Sequence, residues 1–366
     1  DAGVHLTSGC GIEGYQGGQL IAKILIAINT YEQVDFIKVN PFAHISIPSL
    51  SISLPSSIEA FVDELSAYFP QERVGLEQLL QLCLSLTEQV ASAEEIMATK
   101  SQAIASEKLN LLFQYRHNTL AEVWNEYITD TQLKSIFAAL WPYLGLPPEK
   151  VSFIYWSTML IGYLVDGAYY CRGGFQTLAD ALVSGFRLAG GEIRFKSLVS
   201  DINVLDEHVQ GVQLASGEFI AVDIVVSNAD MRQTVYQLVG EQYFPKRYLS
   251  RLAKMQPSLS IFVVYIATDL DLTQQAVHHE SFYYDELDHA LNYQHSVDGE
   301  LSWLSVTVPT LVDTSLAPKG EHLVMLTTLA NFNQHSDWKK EKKAFTNKML
   351  EFADRKIKGL KSHILF

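Results

Sequence analysis

The densest cluster of groups able to hold a metal or move a proton is His278-His279-Glu280, with Asp285, Asp288 and His289 close behind. Adjacent side chains on a strand leave on opposite faces, so His278 and His279 cannot both reach one ion. Neither HExxH nor CxxC spacing supports them, and the expected reading is a structural or solvated pair. Covalent catalysis lacks its signatures as well. There is no GxSxG, and Cys10, Cys83 and Cys171 stand apart without the local sequences of cysteine enzymes. Each reads as a small buried hydrophobe. The carboxylate pairs Asp63-Glu64 and Asp285-Glu286 read as solvated neighbours. Gly9-Cys10-Gly11 with Gly14 has the outline of a phosphate loop. Such a loop follows an apolar strand and opens a helix, so that helix amides meet the diphosphate. Val4-His5-Leu6-Thr7-Ser8 is too short and too polar for that strand, and the match is coincidental.

Composition narrows the classes. Of 366 residues, 41 are acidic and 27 basic, a net charge of −14. A nucleic-acid groove would need a basic face, so that class is excluded. With 48% hydrophobic residues the chain buries large cores and is not a disordered tail. Three scattered cysteines fit a reducing compartment, hence a cytoplasmic setting, better than a disulfide framework. The longest uncharged apolar run, 151–165, falls short of the ~20 residues that span a bilayer and reads as a buried helix.

The elements that must position any site follow from periodicity. His44-Ile45-Ser46-Ile47 and 50–54 alternate as half-buried strands. From Ser57, a cap before Glu59, apolar residues fall at helical spacing: Ile58, Phe61, Val62, Leu65, Phe69. Further helices are expected over 79–90, 105–114, 119–128 and 130–140. Tyr169 to Gly174 leads from a strand into a helix with Leu178, Leu182 and Phe186 on one stripe. A strand over 192–195 and a hairpin of 209–214 with 219–226 follow, the turn marked by Ala215-Ser216-Gly217. Residues 223–229 read as a buried strand, and 259–267, 301–308 and 323–329 as three more. Uneven alternation of this kind predicts an α+β fold with a mixed sheet. The last 29 residues hold nine Lys/Arg and three Asp/Glu, a net +6, which leaves −20 on the preceding 337. Trp338, Phe345, Met349 and Phe352 share one helical face there. That face either packs inward or touches anionic lipid, and the packed reading is preferred.

Taken in order, several stretches resemble the carotenoid isomerase, phytoene desaturase and all-trans-retinol saturase group of FAD-dependent oxidoreductases, within the amine-oxidase-like superfamily. Asp1-Ala2-Gly3-Val4-His5 is similar to the group's segment beside the flavin. Thr119 to Glu122 and Leu144 to Pro148 resemble its helical substrate region. Tyr170-Cys171-Arg172-Gly173-Gly174 resembles its Tyr-Pro-x-Gly-Gly motif, with Cys171 in place of proline. Gly190 to Ile202 is similar to its adenine-facing strand, and Asp223 to Asp230 is close to its usual wording. Pro309 to His322, through Asp313, Ser315 and Ala317-Pro318, is similar to its Asp-x-Ser-x-Ala-Pro-x-Gly-x-His stretch.

The resemblance implies a partial FAD/NAD(P)-binding-type scaffold with an inserted helical substrate region. Its parts would be 1–55 (flavin-domain remnant and first substrate strands), 56–165 (helical substrate region), 166–235 (flavin-domain helix, strand and hairpin), 236–336 (substrate-domain strands) and 337–366 (basic helix). It implies FAD as cofactor and a carotenoid- or retinoid-like apolar substrate. The reaction would be desaturation, saturation or cis–trans isomerisation. Peripheral membrane contact stays open, as does oligomeric state. Gly3, Val4, His5 and Leu6 would lie against the isoalloxazine, and Val199 would offer its backbone to the adenine. A turn glycine and a core valine are the plainer readings of Gly3 and Val199. His322 would fix a turn. No catalytic residue and no metal ligand is assigned. The group's diphosphate loop and second flavin-facing segment are not in the sequence, so the chain is expected to be the interior of a longer enzyme. The alternative is a non-catalytic carrier of apolar ligands. If the fragment reading holds, the purified chain shows no stoichiometric flavin band in its visible spectrum; a yellow one-to-one complex contradicts it.

Overall fold

The computed structural model describes residues 19–98, 101–332 and 337–366. Its strands are β1 (Phe36–Val39), β2 (Ala43–Ile47), β3 (Leu50–Leu54), β4 (Ala168–Cys171), β5 (Val199–Leu205), β6 (His208–Leu214), β7 (Phe219–Ala221), β8 (Ser260–Thr268), β9 (Glu280–Tyr284), β10 (Trp303–Thr307) and β11 (His322–Ala330). Contacts divide the chain into two units, one running up to Ala189 and resuming at Leu259, the other Gly190–Ser258.

The larger unit is built on a six-stranded sheet in the order β3-β2-β9-β10-β11-β8. Its ladders are antiparallel except β2 with β9, which makes the sheet mixed. Alternation sends Ile45, Phe282, Tyr284, Trp303 and Leu329 to one face, where they join the helical block. Tyr283, Leu304, Val306, Val324 and Leu326 go to the other face, against Phe345, Met349 and Phe352 of the helix Trp338–Lys356. β1 and β4 form a separate antiparallel pair.

The helices begin where the sequence signals them. Ser57 caps Ile58–Tyr68 by accepting from the Ala60 amide at 3.2 Å. Thr119 and Glu122 form a reciprocal capping box. The apolar run is a buried helix, Phe153–Ile161, with Phe153 and Trp156 fully covered. No helix among the described residues is long and apolar enough to cross a membrane.

The expected helix over 105–114 is instead two, Gln102–Lys108 and Asn110–Tyr115. Gln89, on the long helix Arg73–Ala98, makes the break tolerable: its Oε1 accepts from the Leu111 and Leu112 amides at 3.0 and 3.2 Å. A distant side chain thus satisfies the amides that a continuous helix would have bonded. The helices expected over 119–128 and 130–140 are shorter, Leu120–Trp124 and Thr131–Phe137.

The stripe on Trp338–Lys356 is used internally. Burying Phe345, Met349 and Phe352 stabilises the unit by about 6 kcal/mol in all. Each lysine near an anionic surface gains only about 1 kcal/mol. Insertion of this stripe into lipid would expose the sheet face beneath, so the packed reading stands. Asp285, read above as a solvated carboxylate, instead receives Arg355 at 3.0 Å and Lys356 at 2.8 Å from this helix.

In the smaller unit β5, β6 and β7 form an antiparallel meander. Asp206 and Glu207, both at positive φ, turn β5 into β6. Two expected strands are absent. Residues 192–195 and 223–229 carry no strand, and Phe195, Ile224 and Val226 are exposed, Val226 by 93%. A strand needs a partner ladder to fix its backbone, and none pairs with these segments among the described residues. The polar exit of the second segment is nonetheless built as read: Asp230 accepts from the Gln233 amide at 2.9 Å and opens a helical turn.

Gly75 sets the approach of the long helix to residue 127. A Cβ there would lie 1.9 Å from the Tyr127 carbonyl oxygen. Ordinarily Gly→Ala within a helix gains about 1 kcal/mol; here the overlap costs about 1–3 kcal/mol and is against backbone. Gly75→Ala should therefore lower the urea midpoint, by a net of up to about 2 kcal/mol. A rise in midpoint would disprove the close approach.

Candidate functional site

The larger unit holds an apolar cavity of about 140 Å³ at the end of the sheet. Its walls include Tyr170 from β4, Tyr265 from β8, Met325 from β11, and Pro309 and Leu316 from the turns after β10. The volume suits a benzene-sized apolar group and so the end of a long hydrocarbon, not its whole length.

Two of the motifs singled out in the sequence meet beside it. The Gly173 amide donates to Asp313 Oδ2 at 2.7 Å, and the Ser315 amide and hydroxyl donate to Asp313 Oδ1 at 3.0 and 2.6 Å. One carboxylate therefore pins the loop after Tyr170 to the loop that carries Leu316. Gly173 and Gly174 both sit at positive φ, the conformation that frees the amide to point at Asp313. Partial burial works against the Asp313 charge, but these donors and Arg172 outweigh it and hold the carboxyl below its ordinary range. Arg172 itself pairs with Asp35 at 2.6 Å. His322 fixes a turn as expected, its Nδ1 lying 2.9 Å from the Thr310 hydroxyl. The other two motifs also join: the Ala121 amide donates to the Pro148 carbonyl at 3.0 Å. Both residues line a wider, more polar cleft of about 510 Å³ that also touches Lys134, Asp288 and His289.

Two strands in from the cavity residue Met325 lies a buried acid. Glu280 opens β9, is 1% exposed, and accepts from the Ser305 and Thr307 hydroxyls at 2.6 Å each. No cation pairs with it among the described residues. Burial raises its pKa from 4.5 to about 7, against the downward pull of those hydroxyls and of Tyr143. The Tyr143 hydroxyl is itself buried and makes no hydrogen bond of good geometry. Burial and then the Glu280 charge push Tyr143 and Tyr284 well above the usual tyrosine range. Sheet register places Glu280 opposite Thr307, Thr307 opposite Met325, and Met325 opposite Tyr265. The acid and two cavity residues thus stand in one row across the sheet.

His278 and His279 precede β9 rather than lying in a strand, and their rings nonetheless diverge. His278 stacks on His44 with ring centroids 4.5 Å apart, while His279 meets the Tyr170 ring edge-on and lies 3.3 Å from the Val308 carbonyl. Among the described residues no three His, Cys, Asp or Glu could hold a metal. Cys83 and Cys171 are buried and free, each thiol pushed up to about 12 by burial, and neither is a nucleophile. Cys10 lies outside the described residues.

A Ser–His–Asn arrangement, invisible in the sequence, joins Ser135, His289 and Asn292. Ser135 Oγ lies 3.4 Å from His289 Nε2, and Asn292 Nδ2 lies 3.3 Å from Nδ1. The hydrogen bonds rule out a general base. Asn292 Nδ2 donates to the Glu286 carbonyl, and its Oδ1 accepts from Ser302, which fixes the amide as a donor toward Nδ1. The ring proton is then on Nε2, committed to the Ser135 carbonyl at 2.8 Å. Burial lowers this histidine to about 4, so it stays neutral. It is a structural network.

Of the flavin residues implied by resemblance, Gly3, Val4, His5 and Leu6 lie outside the described residues. Val199 is the first residue of β5, half-buried, opposite Leu214. β5 is an edge strand, and an edge leaves a row of peptide N–H and C=O groups unpaired within its sheet. That donor and acceptor set fits the rim of an adenine ring. What sequence reasoning missed is β9 and Glu280 with its partners. The available signal was Ser305 and Thr307 at alternate positions among Leu304, Val306 and Val308, two hydroxyls on one face of an otherwise apolar strand.

The profile of the family described as "flavin containing amine oxidoreductase" matches residues 41–351. Prolycopene isomerase 2 (chloroplastic) of an Oncidium hybrid cultivar is 25% identical over 346 residues, 88% of this chain and 56% of its own length. Phytoene desaturase (lycopene-forming) of Pseudescherichia vulneris is 28% identical over 247 residues, 66% of this chain and 50% of its own. The chain thus spans about half the length of these curated relatives. A solved structure of an oxidoreductase from Methanosarcina mazei superposes with a TM-score of 0.62 at 16% identity, covering 98% of this chain and 78% of that one. It shares the fold.

The Glu280 acid gives a signed pH prediction. A raised folded-state pKa means stability is full below 4.5 and falls as pH rises toward about 7, by about 3 kcal/mol in total. His44 and His289, both lowered by burial to about 4, act oppositely and lose stability as pH falls below 6.5. Subtracting the urea stability of Glu280→Gln from that of the wild type should leave only the first slope, between pH 4.5 and 7. A flat difference would show that Glu280 is not shifted.

Proposed function

This chain belongs to the flavin containing amine oxidoreductase family, whose cofactor is FAD, and on that footing we propose that it is part of an enzyme acting on carbon–carbon double bonds of an apolar polyene or retinoid. The observation that supports this most is the apolar cavity lined by Tyr170 and Leu316, whose chain segments are tied together close by through the Asp313 carboxylate. A polyene offers almost no hydrogen-bonding handles, so recognition rests on shape and dryness. The cavity supplies an apolar lining of a size that suits one end of such a molecule. The relatives are named for prolycopene isomerisation and phytoene desaturation, both reactions of long conjugated or isoprenoid chains.

Bound FAD would supply hydride or electron exchange at the carbon–carbon bond. This chain's residues do the rest. Val199 would offer its peptide N–H and C=O to the adenine, and Gly3, Val4, His5 and Leu6 would flank the ring system. Tyr170, Leu316 and Met325 orient the hydrocarbon and exclude water. In this division the helical region 56–165 and the strands of 236–336 would face the substrate, and 166–235 would serve the flavin while lending Tyr170 to the cavity. The carrier alternative predicts binding of the same apolar ligands with no dependence on flavin.

Leu316→Trp, on a turn outside the sheet, should fill the cavity. It should weaken binding of all-trans-retinol, read by fluorescence, at least tenfold while leaving the thermal midpoint within a few degrees. Unchanged affinity would remove the cavity from the proposal. With the protein supplied with FAD, conversion of a polyene establishes the enzyme, and retinol binding without any turnover across candidate polyenes supports the carrier.

A further inference from the structure

We propose that Glu280 tunes the cavity electrostatically: its ionised carboxyl favours positive charge on a conjugated chain bound there. This deepens the polyene reading and rests on it. The geometry is the cross-sheet row. Glu280, Thr307, Met325 and Tyr265 are successive register partners, and Met325 and Tyr265 line the cavity. Two ladder spacings place Glu280 about 10 Å from Met325.

The charge is not cancelled on the way. Glu280 has no cationic partner among the described residues, and what surrounds it are hydroxyls: Ser305 and Thr307 of β10 donate one to each carboxylate oxygen. From the turn Trp141–Tyr143 comes the buried, unsatisfied Tyr143 hydroxyl, from the turn Gly162–Asp166 Tyr163, and from β9 itself Tyr284. β2 presents the apolar Ala43 alongside, and the preceding His279 turns to Tyr170. A buried carboxylate held by donors but left without a counter-ion keeps its field. Loss of a hydride from a conjugated chain, which the flavin of the proposed reaction would accept, or gain of a proton by the chain, leaves a single positive charge spread along it. At about 10 Å in a protein interior a carboxylate favours such a charge by roughly tenfold. Because Glu280 titrates near neutral pH, the field is present on the alkaline side and absent on the acid side.

The test uses all-trans-retinol, which has no group titrating between pH 5 and 9, bound to the chain as it stands. Its absorption maximum should move with pH in the wild type, with a midpoint near 7. Glu280→Gln should bind within twofold of wild-type affinity and show no such movement. Glu280→Asp should restore it, and Ser305→Ala, by removing a donor to the carboxylate, should carry the midpoint upward. The Ser305→Ala arm reads the same group if the Gln variant does not fold. Retinol that binds with a pH-independent maximum in the wild type, or a shift that persists in Glu280→Gln, overturns the proposal and leaves the polyene reading intact. Failure of retinol to bind at all overturns both.

Discussion

A six-stranded sheet with apolar residues on both faces cannot stand unless both faces are covered, and the larger unit is organised by that constraint. The helical block covers one side through Phe282, Tyr284 and Trp303; the last helix covers the other through Phe345, Met349 and Phe352. Coverage fixes the height at which the loops at the strand ends meet. The Gly173–Asp313 hydrogen bond then needs only to lock two loops already close together. The cavity lies between Tyr170, the turns that carry Pro309 and Leu316, and the outer strands β8 and β11. Its apolar lining comes from the same packing that makes the fold stable.

The polar groups in this apolar setting follow two different rules. The His289 network engages both ring nitrogens and both ends of the Asn292 amide, and such networks specify one arrangement of a core. The Glu280 group is satisfied in only one direction. Its carboxyl receives hydroxyls, yet the neighbouring Tyr143 hydroxyl has no partner of good geometry. The first arrangement ties the helix His289–Asp298 to the helix Thr131–Phe137, whereas in the second a change of charge on Glu280 turns one of its hydroxyl partners from donor to acceptor.

Much of the fold was legible because hydrophobic period, caps and turn residues act locally. Ser57, the Thr119 capping box and the alternating strands 44–47 and 50–54 could each be read within a few residues. The failures share a cause, which is dependence on distant partners. The helix break near Leu109 relies on Gln89, twenty residues away along the chain. Residues 192–195 and 223–229 have strand-like composition but no ladder among the described residues, so composition alone misled. For the site, the Tyr170 and Asp313 stretches were legible as motifs, but not that a hydrogen bond joins them. Glu280 passed as one member of a weak metal cluster, because nothing local says that a carboxylate will be fully buried. The family profile covers the motif-bearing stretches from residue 41 to 351, while Gly3 to Leu6 precede it.

The outer strand β8 carries a further consequence. Residues 363–366 pair with it only around Ala267 to Asp269, so the run from Ser260 to Ile266 has backbone groups on one side without a neighbour among the described residues. Ile261 and Tyr265 lie exposed along the same run. Unlike many exterior strands, it has no charge or proline to discourage pairing. The sheet therefore ends in a template onto which an extended segment can zip, in register and side by side. Strand addition at this border would lengthen the sheet without disturbing either covered face.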